Sequence, residues 1–198
     1  EGPKPAPGNQ KDGLIAGPNP QGPLVLPGSY SIELELSNGI LVQTFKIAQK
    51  PQSEASIRDL ENQLNLLLKI RDKITETNET INKLRDTRTA IFSYIENQSK
   101  PNRESSLLSS AKKVISELTD VENILISNCN TSEREQFGKP LPKLVEALAT
   151  LISVVESAEA TPTKNSYAVF EHISNKINIQ LMHFNKILEN DKLGLMGG

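Results

Sequence analysis

Tryptophan is absent from this chain of 198 residues, and only three tyrosines, five phenylalanines, two histidines and one cysteine occur in it. Each shortage excludes something. A lone Cys129 can build neither an internal disulfide framework nor a thiolate zinc cluster. Aromatics at 4% leave little to stack against a sugar ring. An excess of either charge is also missing, since 22 Lys plus Arg stand against 24 Asp plus Glu for a net charge of −2. A nucleic-acid or anionic-membrane binder would need a basic face, so neither partner is expected. No apolar run approaches the roughly 18 residues of a membrane span. The N-terminus lacks the basic and then apolar blocks of a secretory signal. It opens on Glu1 rather than methionine, which reads as a processed or internal start.

What is present divides the chain into three. Residues 1–28 hold seven of the twelve prolines with interleaved glycines, a composition suited to a linker or loop, in which only Leu24-Val25-Leu26 would add a short extended piece. Residues 29–50 read as a β-hairpin. Tyr30, Ile32, Leu34 and Leu36 alternate with Ser31, Glu33, Glu35 and Ser37. Asn38-Gly39 is a favoured two-residue turn, because both types tolerate positive φ. Pairing outward from it sets Leu36 opposite Leu41, Ile32 opposite Phe45 and Tyr30 opposite Ile47. One face is then apolar except for Gln43.

Two strands cannot cover such a face. An immunoglobulin-like sandwich could, but it needs about seven strands and this chain has two or three. The hairpin therefore reads as the closing piece of an incomplete β-sandwich whose other strands lie upstream of Glu1. Packing on the helical domain is the alternative.

Residues 53–192 read as a helical bundle. Ile57, Leu60, Leu64, Leu67, Ile70, Ile74, Ile81, Leu84, Ile91 and Ile95 recur at helical spacing, predicting one long helix from about 54 to 97. Its middle, Thr75 to Thr80, is poor in strong helix formers and is a place for a bend. Asn78 falls in or beside the apolar stripe, where it would fix register at some cost in stability. Pro101 ends the helix. A second helix is expected over about 104–127, a loop over 128–139, and a third helix opening at Pro140 with Leu144, Leu148, Leu151, Ile152 and Val155 inward. Thr161-Pro162 predicts the start of a fourth, with Thr161 as N-cap and Ala168, Val169, Ile173, Ile177, Leu181, Phe184 and Leu188 inward. The fold class expected is mainly α, a four-helix antiparallel bundle with a long first helix, preceded by the hairpin.

Two segments carry a family resemblance. "SYSIELELSNGILVQTFKIAQKP" followed by "LNLLLKIRDKITETNETINKLRDTRTAI" resembles the C-terminal region of large bacterial sortilin-like proteins, also called BNR or Asp-box repeat glycosyl hydrolases. The shared pattern is a Pro-Gly-x-Tyr hairpin leading into a helix with Ile70-Arg71-Asp72-Lys73 and Asn78-Glu79-Thr80-Ile81-Asn82. The later block "LPKLVEALATLISVVESAEATPTKNSYAVFEHISNKINIQL", with Val154 to Thr163 as its core, is similar to the family's closing helices. The resemblance covers about residues 24–190. It implies an upstream β-propeller that carries the parent's site, and an exported location: periplasmic, extracellular or cell-surface. None of the propeller's Asp-box repeats is in this chain, so the hydrolase label transfers to no residue here.

The search for chemistry in the residues themselves is short. His172 and His183 share a helix face but lie roughly 16 Å apart along it, too far for one metal. Glu156 and Glu159 are the nearest carboxylate pair to a glycosidase arrangement, yet solvated acids at a helix end explain them. Ser109 and Ser110 lack a nucleophile-elbow context. Nothing basic adjoins Cys129 to activate it. Arg71, Arg85 and Arg88 flank the stripe, where ion pairs to neighbouring helices are expected. Asn78, Asn97 and Asn130 begin N-x-Ser/Thr triplets, a pattern too common to carry weight. No catalytic, cofactor or metal residue is assigned.

The reading is a non-catalytic C-terminal structural and interaction module of a larger extracytoplasmic β-propeller protein. Its partners would be the propeller of the same chain, a separate protein, or a second copy. The alternatives are an accessory wall or lid for a hydrolase-like propeller site, and a free-standing helical scaffold.

Overall fold

The structure is a computed structural model. It describes the backbone of residues 22–97, 105–126 and 143–195, and side chains at 22–96, 108–126 and 143–189. Two strands, β1 (Gly28–Leu36) and β2 (Gly39–Ile47), precede four helices: α1 (Ile57–Asn97), α2 (Ser105–Leu125), α3 (Leu144–Glu156) and α4 (Lys164–Leu195). The mainly α class, the long first helix and the preceding hairpin are as the sequence predicts. Leu24-Val25-Leu26 takes no strand structure. Cys129, Asn130 and the expected helix start at Pro140 lie outside the described residues.

Helix α1 spans 41 residues, about 60 Å at 1.5 Å per residue. It begins on a reciprocal cap. The Ser56 amide donates to Asp59 Oδ2 at 2.9 Å, and the Asp59 amide donates back to Ser56 Oγ at 3.2 Å. The threonine-rich middle does not interrupt it. Thr77 and Thr80 fold their hydroxyls back onto the carbonyls of Lys73 (2.7 Å) and Glu76 (2.9 Å), so the fully buried Thr77 is satisfied within its own helix. Asn78 is buried as expected, along with Leu66, Leu67, Ile70, Ile74, Ile81 and Leu84.

The directions of the helices are finer than a simple alternation. Gln63 of α1 meets the C-terminal end of α3, Arg85 and Arg88 meet the C-terminal part of α2, and Lys73 meets Asn178 of α4. Helices α2 and α3 thus both run antiparallel to α1, one after the other along the groove between α1 and α4, while α4 runs parallel to α1. Their 21 and 13 residues add to about 51 Å, nearly the length of α1. In cross-section this is close to three rods, the middle one broken. Leu118, Val121, Leu125, Leu148, Leu151, Ile177 and Phe184 fill the space between them.

Helix α4 starts two residues later than the Thr161-Pro162 pattern predicts. The N-cap is Thr163, whose Oγ1 accepts from the Ser166 amide at 3.1 Å. Thr161 is occupied elsewhere, donating its hydroxyl to Asp59 and accepting from Asn62. Two residues expected inward, Ala168 and Val169, are exposed, because the buried stripe of α4 runs through Ser166, Ile173, Ile177 and Phe184.

Candidate interaction surface

The hairpin pairs in a register two residues away from the expected one. Leu36 faces Gly39 across the turn Ser37-Asn38, so Tyr30 stands opposite Phe45, Ile32 opposite Gln43 and Leu34 opposite Leu41. Gly39 takes φ +148°, a conformation closed to other residues, and it does so as the first residue of β2 rather than inside the turn. This register also sets the two aromatic rings together, with centroids 5.9 Å apart. A shift of two preserves the faces, so the apolar row predicted from the alternation is intact.

That row is uncovered. Ile32, Leu34, Leu41 and Phe45 are 58, 54, 61 and 40% exposed, and Tyr30 and Ile47 are only partly buried. No described helix packs on either face of the hairpin, whose strands contact only each other. Its attachment to the bundle is at its base. Lys50 reaches Glu159 in the α3–α4 turn at 2.8 Å, while Tyr30 Oη donates to the Leu26 carbonyl of the segment preceding β1 at 2.6 Å. Above that turn an open cleft of about 1280 Å³ separates the hairpin base from α1 and α3, with Leu26, Ile47, Leu64 and Ile152 in its walls.

The two carboxylates considered from the sequence both border this cleft. Glu159 is held below the ordinary carboxylate range by its hydrogen bond with Lys50, aided by Ser53. Glu156 is pushed up by partial burial. One is tied in an ion pair and the other is a solvent-facing helix-end acid, so they do not form an acid and base facing one another across a substrate.

The other candidates fall into place as structural groups. His172 and His183 are exposed on α4. Arg71 pairs with its neighbour Asp72 at 2.6 Å rather than with another helix. Arg85 and Arg88 do cross to α2, where Arg85 Nε and Arg88 Nη1 donate to the two oxygens of Glu122 at 2.6 and 2.7 Å. Glu122 is 2% exposed and was the residue that pattern reading missed. Its signal was the pair of arginines one turn apart on the facing helix. Ser109 and Ser110 are exposed on α2 with no strand beside them. Among the described residues no group of three or more His, Cys, Asp or Glu is placed to share a metal, and no helix is long and apolar enough to cross a membrane.

Comparison with protein-family models, with curated proteins and with solved structures finds no match.

Proposed function

We propose that the chain is a non-catalytic structural and interaction module of a larger extracytoplasmic β-propeller protein, in which the bundle is a rigid mount and the hairpin is the docking element. The observation that carries this reading is the uncovered apolar face of Tyr30, Ile32, Leu34, Leu41 and Phe45 on strands that no helix supports. A two-stranded sheet with such a face gains stability only when another layer covers it. The bundle supports the role from the other side. Its core is built from apolar side chains of the helices, with the Glu122 ion pairs beside them, and no hairpin residue belongs to it. The family resemblance supplies the identity of the covering layer, a β-sandwich that follows the propeller.

The test is hydrogen exchange at residues 29–47, in this chain alone and in continuity with the sequence encoded upstream of Glu1. The reading predicts propeller-like repeats upstream and much slower exchange in the longer protein. Equal exchange in both, or an upstream sequence without β structure, contradicts it.

A further inference from the structure

The two edges of the hairpin are chemically unlike. Residues closing a two-residue turn exchange hydrogen bonds with each other, here Leu36 with Gly39. Alternation then turns the unpaired backbone groups of β1 outward at Ser29, Ser31, Glu33 and Glu35, and those of β2 outward at Ile40, Val42, Thr44 and Lys46. Glu33 and Glu35 guard the β1 edge, since charge on an edge strand discourages pairing. The β2 edge has its one charge at the end nearest the bundle, Lys46, and none along its centre. From Gly39 to Phe45 it carries neither charge nor proline, and Ile40 and Val42 are 63 and 59% exposed on it. Among the described residues β2 pairs with β1 alone.

Strand β2 is also complementary to itself. Reading outward from Gln43, Val42 and Thr44 are both β-branched and Leu41 and Phe45 are both large and apolar, the first unlike pair being Ile40 with Lys46. An antiparallel pairing of two β2 strands about a two-fold axis at Gln43 brings the outward-facing residues into hydrogen-bonded pairs, Val42 with Thr44 of the second copy. Leu41 then lies against Phe45 on the apolar face, and no like charges meet. Gln43 is the one polar interruption in the apolar row. At the axis its amide meets its own copy, and an amide both donates and accepts. In the free hairpin that amide instead donates to the Thr44 carbonyl at 3.2 Å, one of the outward groups the pairing would engage.

We propose that β2 is a homodimerisation edge: two copies of this chain join β2 to β2, antiparallel about Gln43, into a four-stranded sheet. Each strand is nine residues, about 30 Å long, so the two bundles are attached at opposite ends of the joined strands. The pairing uses an edge, whereas the docking proposed above uses a face, and the two are compatible.

The test uses the chain itself with Cys129→Ser to remove the native thiol. Gln43→Cys should cross-link to a covalent dimer on mild oxidation, because a non-hydrogen-bonded antiparallel pair holds Cα atoms about 4.5 Å apart, within disulfide range. Leu41→Cys or Phe45→Cys alone should not, while a mixture of the two should. In sedimentation, Thr44→Pro should weaken the dimer at least tenfold and Ser31→Pro, the same change on the opposite edge, should leave it intact. A chain monomeric at all concentrations, equal cross-linking at 41, 43 and 45, or equal effects of the two prolines would overturn the proposal. The hydrogen-exchange test of the docking face is kept separate by reading it at Tyr30, Ile32, Leu41 and Phe45, whose backbone groups pair within the hairpin and are not engaged by the edge.

Discussion

Replacing Glu122 with alanine is the sharpest perturbation of the bundle. The carboxylate is 2% exposed and receives Arg85 and Arg88 at 2.6 and 2.7 Å, so the substitution removes the anion that two neighbouring cations of α1 share at the α1–α2 contact. Breaking a buried pair by removing one partner costs about 3–5 kcal/mol. The arginine side chains are 24 and 26% exposed and can turn partly toward water, which places the expected loss at the lower end, about 3 kcal/mol. For a chain of this size that is a fall in Tm of about 6–12 °C. The assay is thermal and urea unfolding followed by helical circular dichroism. A second variant separates the pair from the packing. Arg85→Met, Arg88→Met and Glu122→Leu together remove all three charges, and a buried ionic cluster exchanged for apolar residues of similar size is close to neutral. The triple variant should therefore recover most of the lost stability. A loss below about 1 kcal/mol for Glu122→Ala, the range of exposed ion pairs, would refute the reasoning. So would a triple variant no more stable than the single one.

Gln63→Ala should loosen the end of α3 from α1, because one side-chain amide donates at 2.6 Å to the Val155 carbonyl, in the last turn of α3, and to the Ala158 carbonyl in the turn that follows. The expected cost is about 1–2 kcal/mol in urea unfolding, with faster amide exchange at 155–160. Asp59 is held below its ordinary value of 3.8, first by the Ser56 hydroxyl and then by that of Thr161. The folded chain thus binds that proton more weakly than the unfolded one, and the stabilisation is complete above the ordinary value and lost as pH falls through the lower folded value. Asp59→Asn should accordingly be less stable than the parent at neutral pH, with the difference shrinking in acid. A constant difference down to about pH 2 would contradict the assignment.

The long helix was legible in the sequence because Leu67, Ile70, Ile74, Ile81 and Leu84 repeat at the helical period, and burial follows that period directly. The hairpin and its faces were legible for the same reason, since alternation fixes which side chains share a face whatever the register. Register itself was not. Asn38-Gly39 is the stronger turn dipeptide, yet the chain turns at Ser37-Asn38, which sets Tyr30 against Phe45 and gives Gly39 its positive φ. The cap of α4 misled in a similar way. Thr161-Pro162 and Thr163 are both plausible starts locally, and the choice was made by a contact with Asp59, a residue 102 positions away. Helix directions depend on which helix ends meet, and Gln63, Arg85 and Lys73 reveal that only in three dimensions. Of the candidate surface, the apolar row was readable and its lack of cover was expected. The burial of Glu122 was not, because a single acid between Val121 and Asn123 carries no periodic signal.

The central claim is that the hairpin is borne by the bundle without being part of its fold. Removing residues 1–50 tests it most directly, by comparing the Tm of residues 51–198 with that of the full chain. The account predicts a change within about 2 °C, since no helix packs on the strands. A fall of ten degrees or more would mean that the apolar face of Tyr30, Ile32 and Phe45 rests on the helices in solution, and the hairpin would then be a structural part of the bundle rather than a surface held out for a partner.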